Sequence, residues 1–226
     1  MSLQNLIFNA APFAMIPAFL LAVISIGSGN NITIRILSFH IIFSTIIELT
    51  STLLWLMKTN NFFLLHIYTL EEFTLITWFY STLIRGQTWK LFFQICLVTF
   101  AIFTLSNSLF IQPLTVNNTY ATGLESLICM VYALICFYKL INSSSTFPKS
   151  YLLGLLLINS GILIYFSSSS LFFTVSNYLR KPEMRDIRLM TWTIHAFFSI
   201  IYYLLLFFGL WIIRKEKSPT FYLQVP

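Results

Sequence analysis

Long uninterrupted apolar runs, each about the length that crosses a bilayer, follow one another along this chain, separated by short stretches rich in Asn, Ser, Gly and Lys. They lie at about 5–26, 34–57, 62–84, 90–110, 120–140, 151–175 and 189–213. The runs are continuous rather than alternating, and about twice as long as a barrel strand. They must therefore satisfy their own backbone groups as helices. The pattern predicts an all-α polytopic membrane protein with seven transmembrane helices over 1–213 and a short cytoplasmic tail over 214–226. The first run holds Asn9, Pro12 and Pro17, but it has neither the basic start nor the small-residue cleavage site of a signal peptide. It is read as a mature helix.

Composition sharpens this picture. The chain is 58% apolar and only 9% charged, against roughly 25% charged in an average soluble domain. So few charges cannot coat a soluble globule. The net charge of +6 is mainly a matter of topology, and nucleic acid is not an expected partner. Placing the N-terminus outside puts Arg35, Arg85, Lys90, Lys139, Lys149, Arg214, Lys215 and Lys217 inside. It leaves Lys58, Arg180, Lys181, Arg185 and Arg188 outside, the last four offset by Glu183 and Asp186. The positive-inside bias favours this orientation. Cys96, Cys129 and Cys136 all fall within runs, and Cys129 and Cys136 stand about 10 Å apart along one helix axis, too far for a disulfide. The loops and the tail "RKEKSPTFYLQVP" leave no room for a soluble effector domain. Function is therefore expected inside the bundle, or through a membrane or cytoplasmic effector protein.

The informative residues are the polar ones inside the runs, because an ionisable side chain at mid-bilayer costs roughly 2.5–3.5 kcal/mol on insertion scales. Helix two carries His40, Ser44, Glu48 and Ser51 on one stripe; helix three carries His66, Tyr68, Thr69, Glu71 and Glu72. Helix five carries Glu125, Cys129, Tyr132 and Cys136, and helix seven carries Arg188, Thr191, His195, Ser199 and Tyr202. Helix six adds Asn159 and Ser167 to Ser170. At 1.5 Å per residue, Glu48 falls about 21 Å from the inner face, while Glu71 and Glu72 fall about 15 Å, His66 about 6 Å and His195 about 9 Å from the outer face. His40 falls near the inner face, and Glu125 near the headgroups. Adjacent residues point about 100° apart, so Glu71 and Glu72 are not expected to serve one pocket. Glu72, with Tyr68 four residues earlier, is read as the inner of the two.

These positions predict an outward-facing polar pocket with Glu48, Glu72 and His195 at its core and His66, Tyr68, Asn159 and Tyr202 as its lining. Such a pocket suits a small polar or cationic ligand, or protons, in a sensory or ligand-binding membrane module. Retinal is not expected, since the last run lacks a Lys for a Schiff base. A second reading is an intramembrane hydrolase with zinc on His66, His195, Glu48 and Glu72. That arrangement is similar to the alkaline ceramidase and adiponectin-receptor superfamily, whose last helix carries a His-x-x-x-His pair. Here Thr191 and Ser199 flank His195 at that spacing, so the pair is absent. A third reading, a small-solute transporter, would call for repeats or broken helices, and only the Pro12/Pro17 helix fits.

The segments "HIYTLEEF" and "WTIHAFFSIIYYLLLFFG", taken with Glu48, resemble a group of bacterial seven-helix membrane proteins over nearly the whole chain. The resemblance implies the bacterial inner membrane as the location and Glu48, His66, Glu72 and His195 as positions to test. No activity is attached to that group, so none is implied.

Overall fold

The structure is a computed structural model that describes residues 3–27, 31–142, 147–176 and 178–215. Among them are α-helices Leu3–Gly27 (α1), Ile32–Leu56 (α2), Phe62–Leu83 (α3), Gln87–Ser106 (α4), Thr119–Asn142 (α5), Lys149–Ser176 (α6) and Arg185–Lys215 (α7). A π-turn over Asn107–Ile111 prolongs α4, and two short 3-10 turns lie between α6 and α7. No β-strand occurs among the described residues. Of these helices, α1, α2, α4 with its π-turn, α5, α6 and α7 are long and apolar enough to cross a membrane, the mark of a multi-pass membrane protein. The exception is α3, whose hydropathy is lowered by His66, Glu71, Glu72 and several Thr residues. The cytoplasmic tail expected from residue 214 begins as the last turn of α7, and its part beyond Lys215 lies outside the described residues.

Consecutive helices pack as antiparallel neighbours: α1 on α2, α2 on α3, α5 on α6 and α6 on α7. The ring closes through α1 on α7 and α3 on α5, and α4 lies outside it against α3 and, more lightly, α5. Local chemistry sets the turns. Asn31 caps α2 by accepting from the amides of Thr33 and Ile34 at 3.1 and 3.4 Å, and its own amide donates to Tyr151 Oη at 3.0 Å. That bond ties the start of α2 to α6. At the opposite end, Asn107 in the π-turn donates to Asn118 at 2.8 Å and Gln112 at 3.2 Å, and Gln112 donates to Thr119 at 2.7 Å. All four are buried. These bonds link the polar groups of the corner between α4 and α5, although Asn107 Oδ1 and Asn118 Nδ2 stay buried without a partner among the described residues.

Packing is uneven along the bundle. In α2 the buried residues run from Thr33 to Thr45, and none of 46–56 is buried. In α7 Thr193 is buried near the start, and the others follow only from Tyr202. α3, α5 and α6 by contrast bury side chains along their whole length. Lipid supplies no hydrophobic drive for helix association, so close packing depends on small residues and polar contacts. The tight half of α6 and α7 has such residues. There Gly154 of α6 and Gly209 of α7 bring two backbones together, and Gly161 faces Tyr202 and Leu205.

Candidate functional site

The centre of the bundle holds a cluster of ionisable and hydroxyl groups contributed by α2, α3 and α7. His40 sits eight residues into α2, on the face that carries Ile36, Ile41 and Ser44 into the interior, and is 1% exposed. Its Nε2 lies 2.8 Å from the Tyr202 hydroxyl and 3.8 Å from Oε1 of Glu72. Its Nδ1 lies 3.4 Å from Ser44 Oγ and 3.8 Å from Oε1 of Glu71. Tyr68, one turn before Glu72 on α3, donates its hydroxyl proton to Glu72 Oε1 at 2.6 Å. Glu72 is 1% exposed. The Glu71 side chain is 12% exposed, and both of its oxygens are buried without a hydrogen bond. Tyr202 is held flat against Tyr165 of α6, with ring centroids 4.6 Å apart and planes 19° apart. One imidazole therefore has a carboxylate beside each of its nitrogens and a tyrosine that fixes its ring.

This arrangement handles charge. As an imidazolium, His40 donates from both nitrogens, and a positive charge lies between two negative ones. As a neutral ring it has one donor, and its other nitrogen must accept, from Tyr202 or from Ser44. Gaining or losing a single proton thus reverses at least one hydrogen bond and changes the balance with Glu71 and Glu72. In a low-dielectric interior neither change is screened as it would be in water.

Of the residues singled out in the sequence, Glu72, Tyr68 and Tyr202 lie together around His40. His40 and Glu71, which the sequence leaves out, complete the cluster. Two expectations are corrected here. The straight-rod arithmetic put His40 near the inner face, yet it meets residues from the middle of α3 and α7, because helices of unequal length do not share one entry plane. Glu71 and Glu72 do serve one site: their directions differ by about 100°, but the imidazole between them offers two nitrogens on opposite edges.

The other predicted residues lie elsewhere. Glu48, expected on the pocket floor, is exposed on α2. His66 is buried, but it joins α3 to the α4–α5 corner, with Nδ1 2.8 Å from Ser108 Oγ and Nε2 3.1 Å from the Val116 carbonyl. His195 lies in an aromatic box, stacked on Phe172 at 5.3 Å with Tyr165, Phe173 and Trp192 around it, and Nδ1 3.5 Å from Ser168 Oγ. Thus His66, His195, Glu48 and Glu72, the candidate zinc donors, occupy four separate places. Among the described residues no group of three or more His, Cys, Asp or Glu is arranged to hold a metal ion. Glu125, expected near the headgroups, is fully buried, and neither of its oxygens has a hydrogen-bond partner. The three cysteines are unpaired.

Asn159 does not line the cluster but locks the helices around it. It accepts from Tyr80 Oη of α3 at 2.8 Å and donates to the Ala133 carbonyl of α5 at 2.9 Å, so one α6 side chain spans three helices. Asn159→Leu should therefore lower stability by about 1–3 kcal/mol, since it strands a buried Tyr hydroxyl and loses two bonds. Tyr80→Phe, which loses one bond, should cost less than half as much. Denaturant titration of the two variants in mixed micelles checks the order.

No protein-family model matches the chain, and no curated protein or solved structure is similar enough to it to count as a match. The functional reading rests on the geometry alone.

Proposed function

We propose that this chain is a sensory or ligand-binding membrane module that responds to a small cationic species, the proton being the smallest, taken up at the His40, Glu71 and Glu72 cluster. The single observation that carries the reading is the imidazole with a carboxylate 3.8 Å from each nitrogen inside an apolar bundle. Groups of this kind are rare within spans and mark sites that bind or move charge. In this reading α3 is a seventh span, its polar face turned inward and its length of 22 residues, about 33 Å, matched to a bilayer. The N-terminus lies outside, the tail inside, and the membrane is the bacterial inner membrane. The pocket opens outward, on the side where α2 and α7 have few buried residues. A change in charge there shifts His40 against Tyr202, and so α2 against α7, the movement an effector protein would read.

Nitrogen NMR of protein labelled at histidine tests the reading. The chain has three His, so a His40→Gln variant assigns the signal. We expect the His40 nitrogens to pass between neutral and imidazolium forms within about pH 5 to 8, and the midpoint to be displaced in both Glu71→Gln and Glu72→Gln. A signal that does not titrate in that window, or one that neither substitution moves, overturns it.

A further inference from the structure

Glu48 does not belong to the central cluster, and its surroundings call for a different explanation. It is exposed, and it makes no hydrogen bond or ion pair with any described residue. It stands eight residues before the end of α2 at Leu56, about 12 Å along the axis, well inside a span. Two exposed stripes run through this half of the helix. One is Glu48, Thr52 and Trp55; the other is Ile46, Leu49, Leu53 and Leu56. No residue of 46–56 is buried, whereas the buried residues of α2 run from Thr33 to Thr45. An apolar helix face is at ease in lipid. A carboxylate in the middle of it is not.

We infer that the C-terminal half of α2 is a docking surface for a transmembrane helix of a partner protein, one that carries a Lys or Arg at the depth of Glu48. Charge complementarity selects this occupant. A cation within the hydrocarbon gives the carboxylate the partner that this chain withholds, and the flanking Ile46, Leu49 and Leu53 supply van der Waals contact on either side. A helix that was only apolar would cover Leu49 and Leu53 and leave the carboxylate as it is. A second copy meeting face to face would set Glu48 against Glu48. The inference does not depend on the central cluster, and it identifies the surface at which a membrane-embedded effector would bind.

The test uses two synthetic helices in lipid vesicles with the fluorescently labelled full-length protein. One is polyleucine with a single Lys placed about 12 Å from one end; the other is polyleucine throughout. The Lys helix should associate with the wild-type protein at least tenfold more tightly than with Glu48→Gln, and the all-Leu helix should bind both weakly and alike. A hydrophobic carbodiimide should label Glu48 in the free protein, and the Lys helix should slow that labelling. Because Glu48 is on the surface, Glu48→Gln should unfold at the parent's temperature, which shows that a loss of binding is not a loss of fold. Equal binding of the two helices, or unchanged binding of the Lys helix to Glu48→Gln, overturns the inference. So does self-association of the wild type that the substitution abolishes, which would make a second copy the occupant.

Discussion

His40→Leu is expected to cost about 3–5 kcal/mol of folding stability, the range for removing one partner of a buried charged group. The volume change is small, so little of the loss comes from a cavity. It comes from Glu71 and Glu72, which keep their places on α3 while the imidazole between them, their one ion-pair partner among the described residues, disappears. Tyr68 still donates to Glu72 at 2.6 Å, but Glu71 has no other partner among the described residues. Replacing the whole group by apolar residues should behave differently. With His40→Leu, Glu71→Leu and Glu72→Met together no stranded charge remains, and stability should return to within about 1 kcal/mol of the parent or exceed it. Unfolding of the single and triple variants by denaturant in mixed micelles measures both. A single-variant cost below about 1 kcal/mol would mean that His40 and its neighbours carry no compensating charge. A triple variant as unstable as the single one would mean that the loss is one of packing.

The helices were legible from the sequence and the site only in part, and both follow from the same physics. Each predicted run coincides with a helix to within a few residues, because twenty apolar residues in a row leave the backbone no other arrangement in lipid. Even Pro12 and Pro17 lie inside a continuous α1. Spacing also identified the Tyr68 and Glu72 pair, since residues four apart meet on a helix whatever surrounds it. Contacts between helices are another matter, since periodicity fixes which residues share a face and says nothing of the height at which two faces meet. His40 and Tyr202 are 162 residues apart in sequence, and their meeting depends on how α2 and α7 slide past each other. For the same reason the stripe His40, Ser44 and Glu48 is continuous in sequence but divided in space. Its first two members are buried, and Glu48 lies in the half of α2 where no residue is buried. Glu125 shows the reverse, a carboxylate near the start of its helix that is nonetheless fully buried, because α3, α5 and α6 stay packed to that end.

The register that joins His40 to Tyr202 is held by α6 against α7, and two glycines set it, so the second large effect is expected there. A Cβ on Gly154 would come within 2.4 Å of Ile213 Cγ1 and 2.9 Å of the Gly209 carbonyl; one on Gly209 would come within 2.6 Å of Ile158 Cγ1 and 2.8 Å of the Gly154 carbonyl. The side-chain clashes can be relieved by a rotamer change or by trimming, but the backbone ones cannot. The helices must separate, and lost contact between small residues is lost association in a membrane. Gly154→Ala and Gly209→Ala should each cost about 1–3 kcal/mol, and Gly209→Leu more. Adding Ile213→Ala to Gly154→Ala removes the nearest contact but not the carbonyl, so rescue should be partial. Full rescue would mean that the backbones are not in close contact, and no loss in either alanine variant would mean that the helices cross farther apart. The same variants bear on the central site. Moving α7 from α6 carries Tyr202 away from Tyr165 and His40, so in Gly209→Leu the His40 nitrogens should titrate at a displaced midpoint even though no residue of the cluster has changed.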